Sequence, residues 1–223
     1  MVRIPAAGVT LEADITVPAS AHDLMLFAHG SGSSRHSPRN RFVAEQLEAV
    51  GLATVLVDLL TSEEEQVDAR TAELRFDISL LAVRLVAIVD WLREQEATAG
   101  LGVNVFGAST GAAAALVAAA ARPEQVDIVV SRGGRPDLAG EFLRLVYQPT
   151  LLIVGEWDRR VIELNQMAAR LIPGETRIEI VPGAGHLFEE PGTLAEVARL
   201  ARDWLVSDSV HGAVSGSRRR GTH

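Results

Sequence analysis

Short apolar runs alternate with longer amphipathic ones along most of this 223-residue chain. Residues 24–28 (Leu-Met-Leu-Phe-Ala) are continuously apolar, and similar runs recur at 54–57, 103–106, 128–130 and 151–154. Runs of that length, apolar at every position, predict strands covered on both faces. Residues 9–17 instead alternate with period two, as a strand near a sheet edge does, and 177–181 predicts a further, less buried strand. Helical patterns lie between them at 39–50, 73–96, 109–121, 138–146, 159–171 and 191–205. In the longest, Leu74, Ile78, Leu81, Leu85, Ile88 and Leu92 form an apolar stripe. Residues 61–68, Thr-Ser-Glu-Glu-Glu-Gln-Val-Asp, predict an exposed acidic connection. This alternation calls for one α/β domain, a mostly parallel central sheet with helices on both faces.

In an open parallel sheet, chemistry gathers at the carboxyl ends of the strands. Four reactive residues stand just past predicted strands: His29, Ser109, Asp158 and His186. Ser109 is the most telling, in Gly107-Ala108-Ser109-Thr110-Gly111 between a buried strand and an alanine-rich helix. A strand, a sharp turn and a helix are the setting of a nucleophile elbow, where Gly107 and Gly111 let strand and helix approach closely. The plainer reading is a glycine-rich turn with an incidental serine. Asp158 likewise has a plainer role, capping the helix that starts at 159.

Four segments taken in order, His29-Gly30-Ser31-Gly32, Gly107 to Gly111, Gly155-Glu156-Trp157-Asp158 and Gly185-His186, make the chain resemble the α/β-hydrolase superfamily over residues 9–205. Within it, the chain is similar to the small dienelactone-hydrolase-like branch. The resemblance implies an α/β-hydrolase fold without a large cap domain, since residues 131–150 hold only one short helix where many relatives build a lid. It also implies a triad, with Ser109 as nucleophile, His186 as general base and Asp158 as its orienting acid. The oxyanion donors it implies are the backbone N–H groups of Thr110 and Ser31, with Gly32 as second choice, and Gly30 shapes that loop. His29 is expected to organise the loop. Dienelactone hydrolases proper look like cysteine enzymes, whereas this chain has no cysteine. Serine chemistry on a small carboxylic ester, thioester or lactone is therefore the expectation. Acyl transfer, peptide hydrolysis or non-catalytic binding on the same fold are the alternatives.

Charge refines the picture. The net charge is −8, and because Arg218, Arg219 and Arg220 sit at the far end, the rest of the chain carries −11. Such a body has little reason to hold nucleic acid. Arg35, Arg39, Arg132 and Arg135 nevertheless fall in loops at the predicted site rim, either as contacts to an anionic substrate or as braces paired with surface acids. The domain is expected to span 1–207, with 208–223 a flexible basic tail. No cofactor or metal is expected, because the six histidines show no close ligand spacing. The anticipated partner is a small ester-type molecule, neither nucleic acid nor membrane, with a monomer or homodimer in the cytoplasm as the default setting.

Overall fold

The computed structural model describes the backbone of residues 1–216 and the side chains of residues 1–206. Its strands are β1 (Val2–Ala6), β2 (Val9–Thr16), β3 (Asp23–Ala28), β4 (Ala53–Val57), β5 (Gly102–Ala108), β6 (Ile128–Arg132), β7 (Thr150–Gly155) and β8 (Thr176–Val181). They form one sheet in the order β1-β2-β4-β3-β5-β6-β7-β8, antiparallel at β1–β2 and β2–β4 and parallel from there on. The helices are α1 (Pro38–Glu48), α2 (Ser62–Thr71), α3 (Ile78–Glu94), α4 (Thr110–Ala121), α5 (Arg159–Ala169) and α6 (Thr193–Gly216).

Side-chain alternation along the central strands divides the core in two. Leu24, Leu26 and Ala28 of β3 face a cluster with Leu85 and Ile88 of α3 and the alanines of α4. Met25 and Phe27 face Val43 and Leu47 of α1 and Val197 and Ala201 of α6. The continuous apolar runs therefore belong to strands buried on both sides. Alanine along α4 has a packing reason, for Ala112 to Ala115 are fully buried against the sheet.

Several expectations need correction. β1 escapes the pattern because Pro5 argues against a strand; the sheet edge tolerates it, and Ala7 and Gly8, both at positive φ, turn the chain back into β2. Residues 73–96 are not one helix: a 3-10 turn, Leu74–Phe76, precedes α3, whose N-terminus the Asp77 side chain caps by accepting from the Leu80 N–H at 2.9 Å. Residues 61–68 are no bare connection. Thr61 and Glu64 form a reciprocal capping box that starts α2. Glu64 then reaches Arg84, 2% exposed on α3, at 2.6 Å, and buried Asp68 holds Arg75. The 138–146 segment is 3-10 in character, Pro136–Leu145, and is broken at Gly140 where φ is 56°. α6 continues past 207 to Gly216, since extending a helix costs far less than nucleating one. The arginine triplet of the expected tail lies outside the described residues.

Candidate active site

β5 ends at Ala108 and α4 begins at Thr110, which leaves Ser109 alone on the turn with φ 50° and ψ −118°. An L-residue at such a φ is strained, and it persists only where the surroundings over-determine it. Here they do: the Ser109 N–H donates to the Arg132 carbonyl at 3.2 Å, and its own carbonyl accepts from Arg135 and Ala112 at 3.0 and 3.1 Å. Close packing supplies the rest. A Cβ on Gly107 would stand 2.3 Å from the Ala112 Cα, and one on Gly111 would stand 2.4 Å from the Ala28 carbonyl oxygen. Gly30 lies just as tightly against the turn, its virtual Cβ 3.1 Å from the Ser109 Cβ.

Asp158 and His186 meet at the same rim. The loop after β7 carries Asp158, the loop after β8 carries His186, and Asp158 Oδ2 lies 2.5 Å from His186 Nδ1. A carboxylate only accepts, so Nδ1 donates in that contact, and in the neutral ring this makes Nε2 the acceptor. Asp158 makes no side-chain cap to α5, so the plainer capping role does not describe it. His186 reaches the Ser109 turn through Gly133, whose virtual Cβ is 3.6 Å from His186 Cε1 and which directly follows Arg132. Among the described residues the Ser109 hydroxyl makes no hydrogen bond; in resting sites such contacts often tighten only when substrate arrives.

The loop after β3 is held from beneath. His29 is buried, donates from Nδ1 to the Gly30 carbonyl at 2.9 Å, and accepts at Nε2 from the Leu59 N–H at 3.0 Å. Burial lowers its pKa below the usual histidine value, so the ring stays neutral as a loop organiser. Thr110 is the first residue of α4, and neither its N–H nor that of Ser31 has a partner among the described residues. A free N–H at a helix start carries partial positive charge. From here a cavity of ≈ 650 Å³ runs along residues 29–39 to α2, lined also by Glu65, Asp68 and Arg75. Ser109, Asp158 and His186 are not among its lining residues, and the neighbours Trp157 and Leu187 are exposed. The α2 wall was missed in the sequence, although Thr61-Ser62-Glu63-Glu64 is a readable capping box.

The four rim arginines differ. Arg35 is engaged by Asp58 and by Glu12 at 2.7 Å, and Arg135 by Asp137 at 2.7 Å, so both already have acidic partners. Arg39 meets exposed Glu189 at 3.2 Å. Among the described residues Arg132 has no ion-pair partner; burial, with the Arg39 charge acting on it, pushes its pKa down to about 10. No three acidic or histidine side chains among the described residues are grouped to hold a metal ion, and no helix there is long and apolar enough to cross a membrane.

No protein-family model matches the chain. A dienelactone hydrolase from Anabaena variabilis is 56% identical, with a TM-score of 0.91 over 92% of this chain and 95% of that one. The chain belongs to the dienelactone-hydrolase-like α/β-hydrolases. An α/β serine hydrolase without lid from Xanthomonas campestris, 18% identical, shares the fold at a TM-score of 0.72 over 92% of this chain and 93% of that one. A Mycobacterium tuberculosis protein named "Putative phosphoribosyl transferase" is 57% identical over 205 residues, which are 92% of this chain and 45% of that protein. The chain therefore spans less than half the length of this curated relative, while the dienelactone-hydrolase-like fold accounts for nearly all of the chain itself.

Proposed function

We infer that the chain is a serine hydrolase that cleaves a small carboxylic ester, thioester or lactone through an acyl-enzyme on Ser109. The observation that carries this reading is the 2.5 Å contact between Asp158 and His186 at the rim of the strained Ser109 turn. In the proposed cycle His186 Nε2 takes the Ser109 proton as the hydroxyl attacks the acyl carbon, then returns it to the departing alkoxide or thiolate. Water attacks the acyl-enzyme by the same route in reverse. Asp158 holds the imidazole tautomer and stabilises the imidazolium. The N–H groups of Thr110 and Ser31 receive the oxyanion, in a loop pinned by His29.

Cysteine is absent, so the dienelactone activity named for the Anabaena relative is not carried over with the fold. The transferase name of the mycobacterial relative describes a protein that this chain matches over only 45% of its length, so that activity is not carried over either. Steady-state kinetics on p-nitrophenyl butyrate test the reading. Ser109→Ala and His186→Ala should each cut kcat by roughly 10⁴-fold or more, with the double variant little worse than either single one. Asp158→Asn should cost about 10²- to 10⁴-fold. Multiplicative losses in the double variant, or an Asp158→Asn enzyme within a factor of two of wild type, would refute the triad.

A further inference from the structure

Three of the four rim arginines have acids, and among the described residues the fourth, Arg132, makes no ion pair. Arg132 is the last residue of β6 and is only 7% exposed. Its Nη1 is buried without a partner, and the nearby charge that acts on it is another cation, Arg39. A guanidinium withdrawn from water beside a like charge is destabilising, and a fold retains such an arrangement where function needs it. Arginine cannot relieve the cost by losing its proton near neutral pH.

The location is informative. The Arg132 carbonyl accepts the Ser109 N–H, and Gly133, the next residue, packs under His186, its virtual Cβ 3.0 Å from the His186 carbonyl oxygen. Arg39 lies in the first turn of α1, the positive end of that helix, and lines the cavity. Its Nε is also buried without a partner, and its one acid, Glu189, is two-thirds exposed, so that pair is weak and easily displaced.

We propose that Arg132 and Arg39 form a subsite for a phosphate monoester group carried by the substrate of the Ser109 centre. Val130, two residues before Arg132 on β6 and so on the same face of the strand, packs with Val43 of α1, the helix that carries Arg39, so Arg132 and Arg39 lie on one side of the sheet. Two guanidiniums there with no shared acid among the described residues match a dianion, and a tetrahedral phosphate offers separate oxygens to two forks. A carboxylate is already satisfied by one fork. The substrate is then a phosphorylated ester or thioester, with the phosphate remote from the bond that is cut and unchanged by the reaction. The assignment rests on the hydrolase reading for its place in catalysis, but the binding site does not depend on that reading.

Binding of inorganic phosphate to the whole chain, measured by titration calorimetry at low salt with acetate as comparison, tests the site. Phosphate should bind more tightly than acetate, weaken at high salt, and inhibit hydrolysis of neutral p-nitrophenyl butyrate. Arg132→Met should lower phosphate affinity by about 10- to 100-fold, the value of hydrogen bonds to a charged partner, and Arg39→Met should act in the same direction. Arg132→Met should also melt no lower than wild type, because it removes an unpaired buried charge. Equal affinity for acetate and phosphate would overturn the phosphate assignment. Undiminished phosphate binding in both variants, or none in wild type, would overturn the site. If phosphate binds as stated while no ester is cleaved, the hydrolase reading fails and the anion site stands.

Discussion

Gly111→Ala should destabilise the protein strongly, because the added methyl has nowhere to go. It would lie 2.4 Å from the Ala28 carbonyl oxygen and 2.5 Å from that of His29. Both are backbone atoms, at the end of β3 and the start of the loop that carries Ser31, one of the proposed oxyanion donors, so no rotamer relieves the clash. Restoring an ordinary contact needs α4 and β3 to part by about 1 Å in a close-packed core. Overpacking typically costs 1–3 kcal/mol, and with backbone on both sides about 3 kcal/mol is expected. In a chain of this size that corresponds to a fall in Tm of roughly 6–12 °C. Gly100→Ala is the control: a Cβ there meets nothing within 4 Å, so its Tm should hold or rise slightly. Thermal unfolding followed by circular dichroism reads both. A Gly111→Ala protein melting within about 2 °C of wild type would refute the steric account of the elbow.

Three further outcomes follow from other parts of the structure. Glu64→Ala strands the Arg84 guanidinium, 2% exposed, and should cost about 3 kcal/mol in urea unfolding, much of it recovered by adding Arg84→Met; a loss below about 1 kcal/mol would contradict this. Burial lowers the His29 pKa, so below about pH 6.5 the unfolded chain takes up a proton that the folded ring refuses. Stability present at pH 8 should thus decline as the pH falls through 6.5 toward 5, and less steeply in His29→Asn; identical slopes would show that His29 contributes nothing. With an open cleft rather than a capped tunnel, p-nitrophenyl butyrate should outrun the palmitate ester in kcat/KM, since a long chain finds little apolar wall to leave water for. A palmitate preference would point to an apolar cover over the site.

The placement of the candidate site residues was largely legible because most of them follow strands whose apolar runs are unambiguous. Ser109 and Asp158 each stand past such a run, His186 stands past the less buried strand at 177–181, and parallel order brings those ends to one rim. The glycines at 107 and 111 were legible for the same reason, being set between a buried strand and a buried helix. Partners across the fold were not legible. Whether Arg35 braces or binds depends on Asp58 and Glu12, acids from β2 and the end of β4, and no spacing along the chain reveals that meeting. Acidity hid α2, where three consecutive glutamates suggest a solvated loop while one of them closes a capping box and reaches a buried arginine. The unpaired state of Arg132 emerges only in three dimensions, from what surrounds it.

The central claim is that Ser109 is a nucleophile activated by the His186–Asp158 pair. Labelling with a fluorophosphonate probe, read by intact mass and peptide mapping, tests it most directly. The account predicts one phosphonyl adduct per chain in wild type, on Ser109, much slower labelling of Asp158→Asn, and none on Ser109→Ala. A wild type that takes no label, or a Ser109→Ala protein that labels as readily as wild type, would contradict it.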